Sequence, residues 1–352
     1  MEGPVIRVDA SQKSGSGTIL RHAVALASLS GEEMEMTHIR AHREKPGLRP
    51  QHLRSLLACC EMTGGTVEGA AVDSTRIVYR PGTWVERSKF SWDIGTAGST
   101  TMLAFTILPL AIFSGRALEF TITGGLFQDF APSAFHMQRV LFAVLSQMGV
   151  RTTLRVVRPG YVPKGGGIIQ VESLPVEGAL RPVSLLKLGH PIRVNGISLS
   201  SHLGAQQVSQ RMAQCCQEVL CKRNVDTHFE IVEDDTALQK GAALFVCAQT
   251  DTGCLIGADR AGAPGRTSER IGAFVARSLL KDLDSGATVD RHLADQMIIF
   301  AGLASGTTDC IVPRVTEHVE TNLWLIETML GAKTSLEGQR VRIEGIGFRR
   351  GP

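Results

Sequence analysis

Three times along this chain, an apolar helical stretch ends in methionine with a glycine one or two residues on. A strand, a turn and a second strand then follow. The copies are Leu56–Gly64 with Thr66–Glu68 and Arg76–Tyr79, Val140–Gly149 with Arg151–Val157 and Ile168–Glu172, and Leu323–Gly331 with Thr334–Leu336 and Arg340–Glu344. Each glycine stands where a helix closes in a left-handed turn, a conformation that a residue without Cβ adopts at little cost. The strands alternate apolar and polar positions, as half-buried strands do. Met62 and Met148 are 86 residues apart, whereas Met148 and Met329 are 181 apart. The surplus, about 95 residues, is the size of one small domain.

The spacing therefore predicts an insertion between the second and third copies, over residues 181–264, with residues 1–180 and 265–352 forming the larger body. The inserted stretch has its own helix at Gln206–Cys221, apolar on one face through Val208, Met212, Cys215 and Val219. Strands are expected at Thr227–Val232 and Ala243–Gln249, and Gly262–Gly265 reads as a turn or exit linker. The first two copies open with a strand leading into a helix, Val5–Asp9 to Ile19–Ser30 and Trp92–Thr96 to Thr101–Phe113. The third opens with a helix at Ser268–Leu280 that leads through Gly286 to Val289–Ala304. The expected class is α+β: three βαβαββ units in a large domain, with a smaller α/β domain inserted.

Composition narrows the setting. Hydrophobic residues make up 43% and charged residues 20% of the chain, as in ordinary folded proteins. The longest apolar candidate, Thr101–Ser114, is too short to span a bilayer and contains Pro109, so no membrane partner is expected. The start, MEGPVIRVDA, lacks the basic and apolar regions of a secretory signal, so a cytoplasmic location is expected. Eight cysteines include no C-x-x-C pair, which fits reduced thiols and argues against a zinc site. The net charge is only +3, so nucleic-acid binding has to be sought in local clusters.

Five segments carry possible chemistry. Asp9–Arg21 places Gly15 and Gly17 between a strand and a helix, where the helix N-terminus offers free N–H donors and Arg21 adds charge. It is not a Walker A loop, because G-x-x-x-x-G-K-[ST] is absent. Ile39–Leu53, IRAHREKPGLRPQHL, clusters basic side chains around a Pro46-Gly47 turn, and Arg40 and Arg43 suit bidentate phosphate contacts. Gly95–Thr101 reads as a second strand-to-helix turn. Arg158–Gly167 holds a triple glycine in a hairpin, either a wide turn or a place of close ligand approach. Finally, His318 lies just before the helix of the third copy; as a nucleophile it needs its other ring nitrogen tied to an acceptor, which fixes the tautomer.

These segments, in this order, resemble the RNA 3'-terminal phosphate cyclase family from about Val5 to Phe348. The likeness is also carried by Gly124-Gly125, Ala131-Pro132, Leu293-Ala294-Asp295-Gln296 and Glu344–Phe348. It implies ATP-dependent conversion of an RNA 3'-phosphate end to a 2',3'-cyclic phosphate. The implied route runs through a histidine–AMP intermediate on His318 and an adenylylated RNA end. Arg21, Arg40 and Arg43 are then expected to clamp phosphates, with Gln51 hydrogen bonding beside them. Pro132 and His292 match walls of the nucleotide pocket, and Asp295 and Gln296 match its motif. ATP and a divalent metal, Mg or Mn, are the implied cofactors, and RNA with a 3'-phosphate is the implied partner. The sequence departs from the family at Ser14, where a glutamate is usual, at Phe105, where a glutamine is usual, and at His292, where a tyrosine is common. Two alternatives stay open: a non-catalytic relative acting in ribosome biogenesis, and an adenylyltransferase on other nucleic-acid phosphate ends.

Overall fold

A computed structural model describes residues 5–223 and 225–350. Its first sheet is built from β1 (Val5–Asp9), β2 (Glu33–Thr37), β3 (Thr66–Glu68) and β4 (Ile77–Arg80), with α1 (Gly17–Ser30) and α2 (Pro50–Thr63) between them. The second contains β5 (Lys89–Asp93), β6 (Leu118–Gly124), β7 (Arg151–Arg158) and β8 (Gly167–Leu174). Helix α3 (Thr100–Ile112) joins β5 to β6. A helical run follows β6, comprising α4 (Ala134–His136), a π-helical turn at Met137–Leu141 and α5 (Phe142–Gln147). The short strand β9 (Ser184–Leu185) comes next.

A fourth sheet follows in sequence: β10 (Pro191–Ser201), β11 (Asp226–Asp234), β12 (Gly241–Thr250) and β13 (Leu255–Ala261), with α6 (Val208–Leu220) and α7 (Ser268–Asp284) packed on it. The chain ends with α8 (Leu293–Leu303), β14 (Ser305–Ile311), α9 (Glu317–Leu330), β15 (Lys333–Glu337) and β16 (Arg340–Ile346).

Three sheets share one topology. Their strand orders are β1-β2-β4-β3, β5-β6-β8-β7 and β9-β14-β16-β15. In each, the first two strands are parallel and the remaining pairings antiparallel. The fourth sheet runs β11-β10-β12-β13. The three glycines singled out after methionine, Gly64, Gly149 and Gly331, all have positive φ, as expected of left-handed helix ends.

Helix α1 explains how the large core closes. Its sequence, TILRHAVALASL, is apolar nearly all round, and every residue from Gly17 to Leu29 is buried. It packs against α2, α3 and α9, while α8 packs against α9 and β16. A second, separate core joins Met212 and Cys216 of α6, Leu244 and Val246 of β12, and Ile271 and Val275 of α7. No helix among the described residues is long and apolar enough to cross a membrane.

Two boundaries differ from those expected. Residues 268–280 do not open the third sheet's unit; α7 buries its apolar face in the second core, and Gly262–Gly265 is an internal turn from β13 to α7. The strand that begins the third sheet is β9, only two residues long, and it lies ahead of the fourth sheet in sequence. Periodicity cannot register so short a strand.

Candidate active site

Two helix N-termini meet at His318. Ser16 caps α1, accepting from Thr18 N, and Thr316 caps α9, accepting from Val319 N. His318 sits in the first turn of α9, half-buried, with Nδ1 3.4 Å from Thr18 Oγ1 in the first turn of α1. Ser14 N donates to Thr321 Oγ1 at 3.2 Å, and the hydroxyls of Ser14 and Ser16 are 2.9 Å apart. The Ser-Gly-Ser-Gly loop is thereby stitched to α9 across the length of the chain.

The loop's glycines answer to contact as well as to conformation. Gly15 has φ +53°, and a Cβ there would stand 2.5 Å from the ring of His42. A Cβ on Gly17 would stand 2.1 Å from His52 Nε2. His52 is held in turn by Arg49 N, which donates to its Nδ1 at 3.3 Å. Imidazoles from Ile39–Leu53 thus lie directly on the α1 entry.

Charge around His318 is positive. Arg21 is 6% exposed and, among the described residues, its Nε has no hydrogen-bond partner. Burial, followed by the nearby Arg40, pushes its guanidinium down to about 10. A buried guanidinium with an open donor is the kind of group that pairs with an anion. Arg43 is exposed. Burial lowers the His318 pKa, and Arg43 and then Arg21 lower it further against an opposing push from Glu317. The ring is accordingly neutral near pH 7, the state a nucleophile requires.

The other expected residues divide. Arg40, at φ +56°, donates through Nη1 to the carbonyls of Lys45 and Gly47, both at 2.8 Å, and so braces the Pro46-Gly47 turn. Gln51, at the start of α2, packs on Gly98, with its Cβ 3.2 Å from where a Cβ of Gly98 would be. Pro132 is buried, and its carbonyl accepts from Thr101 Oγ1 at 2.8 Å. Ser133 N donates to Asp259 Oδ2 at 2.8 Å, while Asp259 Oδ1 is 3.7 Å from His292 Nε2. One carboxylate therefore links the Pro132 segment to His292.

Asp295 sits in the first turn of α8, and burial, followed by Asp290, pushes its carboxyl up to about 7. Its carbonyl accepts from Asn322 Nδ2 at 2.9 Å, one helical turn beyond His318. Gln296 Oε1 and Asn322 Oδ1 are buried without hydrogen-bond partners among the described residues.

Beneath this wall lies a pair that local sequence does not announce. His136 Nε2 is 2.9 Å from Asp290 Oδ2, both side chains being fully buried. Asp290 also accepts from the backbone N–H groups of Gly257, His292 and Leu293. Its partners span 154 residues of sequence, so no short motif can reveal them.

The triple-glycine loop is a packing device. Gly165 abuts Ala97, Gly166 abuts Leu238, and Tyr161 is buried with its hydroxyl 2.8 Å from Ser201 Oγ on β10. The loop joins the second sheet to the fourth.

Among the described residues, no three His, Cys, Asp or Glu side chains gather where they could hold a metal ion. The groups about His318 are hydroxyls, imidazoles and guanidiniums, with the carboxylate of the neighbouring Glu317 exposed beside it and a hydroxyl at Ser14. That set does not fit a resident divalent cation.

Residues 12–336 match the family described as RNA 3'-terminal phosphate cyclase. The chain belongs to the RNA 3'-terminal phosphate cyclase family. Relatives named RNA 3'-terminal phosphate cyclase cover nearly its full length. The one from Pyrobaculum neutrophilum is 34% identical over 97% of this chain and 99% of its own. That from Pyrococcus abyssi is 36% identical over 95% of this chain and 96% of its own. That from Thermococcus onnurineus is 35% identical over 97% and 99%, respectively. Among solved structures, the enolpyruvyl transferase NikO from Streptomyces tendae aligns at 14% identity with a TM-score of 0.23, over 97% of this chain and 51% of that one.

Proposed function

We propose that the protein converts the 3'-phosphate end of RNA to a 2',3'-cyclic phosphate at the expense of ATP, with His318 as the nucleophile. The observation that carries this reading is the half-buried imidazole of His318, with Nδ1 3.4 Å from Thr18 Oγ1 and the buried Arg21 guanidinium beside it.

In this reading Nδ1 keeps the proton toward Thr18, leaving the Nε2 lone pair for attack. A bond forms from Nε2 to the α-phosphorus of ATP, the bond to the β-phosphate oxygen breaks, and pyrophosphate leaves. An oxygen of the RNA 3'-phosphate then attacks the same phosphorus and the P–N bond breaks. The neighbouring 2'-oxygen, losing its proton, finally attacks the 3'-phosphorus and AMP leaves. Each step moves charge among phosphoryl oxygens, so the protein's work is placement and neutralisation.

Arg21 and Arg43, with the N–H groups at the start of α1, would neutralise those oxygens. Arg40 would contribute while shaping the loop, and Gln51 would hydrogen bond beside it. Pro132 and His292 would face the adenine, with Asp295 and Gln296 on the nucleoside. Any divalent ion would arrive with the ATP phosphates.

In the same reading the chain comprises three βαβαββ units, with a smaller unit set into the third after β9. The shared strand order supports this. The test is incubation with ATP labelled at the α-phosphorus. The expected result is an acid-labile AMP adduct that His318→Ala abolishes. An unlabelled wild-type protein, or an adduct that survives His318→Ala, overturns the proposal.

A further inference from the structure

Helix α7 shows a stripe that the chemistry above does not use. Arg270, Phe274, Arg277 and Lys281 recur at helical spacing on one face, and all four are exposed. Along the axis, the first two cations stand about 10 Å apart and the third about 6 Å beyond. The groove over this face encloses about 630 Å³ and is also lined by Arg291. Its one carboxylate, Glu269, is taken by Arg211 at 2.6 Å, and Arg291 is paired with Asp282. Among the described residues, Arg270, Arg277 and Lys281 form no ion pair, so three uncompensated charges lie in a line.

The groove has a direction. Phe274, Ser278 and Arg291 line both it and a neighbouring cavity that contains Phe130, Asp259 and His292. One end therefore opens at the His292 wall of the candidate site. Phe130 stands at that end fully exposed, at 101%. Phe274 is 40% exposed and carries the Arg260 guanidinium 3.8 Å over its ring. Of the two acids there, Asp129 is paired with Arg266 at 2.7 Å, and Asp259 accepts from Ser133 N and lies 3.7 Å from His292.

We infer that the α7 stripe is a track for the single-stranded RNA that leads into the site, its cations meeting successive phosphates and Phe130 stacking on a base. A line of free cations ending at an uncovered aromatic ring suits a flexible polyanion with flat bases. This rests on the RNA-end reading above and adds where the rest of the strand lies.

The experiment uses the full chain and two 3'-phosphorylated oligoribonucleotides, one of about 12 nucleotides and one of about 3. Binding is followed by fluorescence anisotropy against salt concentration. The triple variant Arg270→Gln/Arg277→Gln/Lys281→Gln should bind the longer RNA at least about tenfold more weakly near 0.1 M salt. Its salt slope should fall by about 2, from three lost contacts on a single strand. Binding of the short RNA and AMP-adduct formation without RNA should match wild type. Phe130→Ala should weaken the longer RNA by about fivefold or more with its salt slope unchanged.

Equal affinity and equal slope for the longer RNA in the triple variant overturn the track. If the wild type forms no AMP adduct yet the slope falls as described, the cyclisation reading fails and the track stands. If the adduct forms and the slope is unchanged, the reverse holds.

Discussion

Thr18 Oγ1 lies 3.4 Å from Nδ1 of His318, so the first turns of two helices from opposite ends of the chain converge on one imidazole. A hydroxyl there can accept a hydrogen bond from Nδ1, the arrangement that the proposed attack through Nε2 needs. The contact also makes the N-terminal loop and the C-terminal helix mutually dependent, since Ser14 reaches Thr321 one turn deeper on α9.

Thr18→Val should slow AMP-adduct formation by about tenfold, the worth of one hydrogen bond of about 1.4 kcal/mol. The melting temperature should move little, because the side chain keeps its volume. Rapid-quench measurement of adduct formation checks the first part and calorimetry the second. An unchanged rate would mean that some other partner holds the ring.

The His318 imidazole is depressed by burial and by Arg43 and Arg21. A group whose pKa is lowered stays deprotonated to lower pH. Adduct formation should therefore hold steady from pH 8 to below about 6.5, the ordinary imidazole value, and decline only under that. Arg43→Gln removes the largest charge effect, so its acid limb should move to higher pH. A pH–rate profile of both proteins reads this directly, and superimposable limbs would rule it out.

Asp290 and His136 form a fully buried pair under the His292 wall. Asp290→Asn leaves an uncompensated imidazole in the interior and should cost about 3–5 kcal/mol of stability. Adding His136→Leu should recover part of that loss, because no lone buried charge remains. Chemical denaturation of the two single variants and the double variant gives the coupling. Additive losses would show that the two side chains act separately.

Gly17 is required by a neighbour. A Cβ there would meet His52 Nε2 at 2.1 Å, and His52 is anchored by Arg49 N. Gly17→Ala should cost about 1–3 kcal/mol through overpacking. Gly17→Ala combined with His52→Ala should restore room and reduce that cost. Thermal melts of the pair test it, and a silent Gly17→Ala would contradict the packing.

Much of the frame was legible because it is written locally. Methionine–glycine helix ends at Gly64, Gly149 and Gly331 announce left-handed caps, and alternation announces the hairpins that follow. Arg21, Arg43 and His318 could be singled out from nearby glycines, cations and a helix start. What stayed hidden depends on distant partners. The role of α7 follows from which core its apolar face enters, and an amphipathic helix does not say which. The strand β9 is too short to show a period. Arg40 reads from sequence as a phosphate clamp, and only the fold shows that its Nη1 also donates to two carbonyls of its own loop. Asp290 and His136 could be paired only by folding the chain.

The two-residue strand β9 has a consequence for biogenesis. It pairs with β14, and the contact beside it, from Val183 to Thr308, bridges 125 positions of the chain. A ribosome must therefore release the entire fourth sheet before the third can be completed. The strands of the first two sheets leave the ribosome before His318 is translated, so the candidate site is completed last.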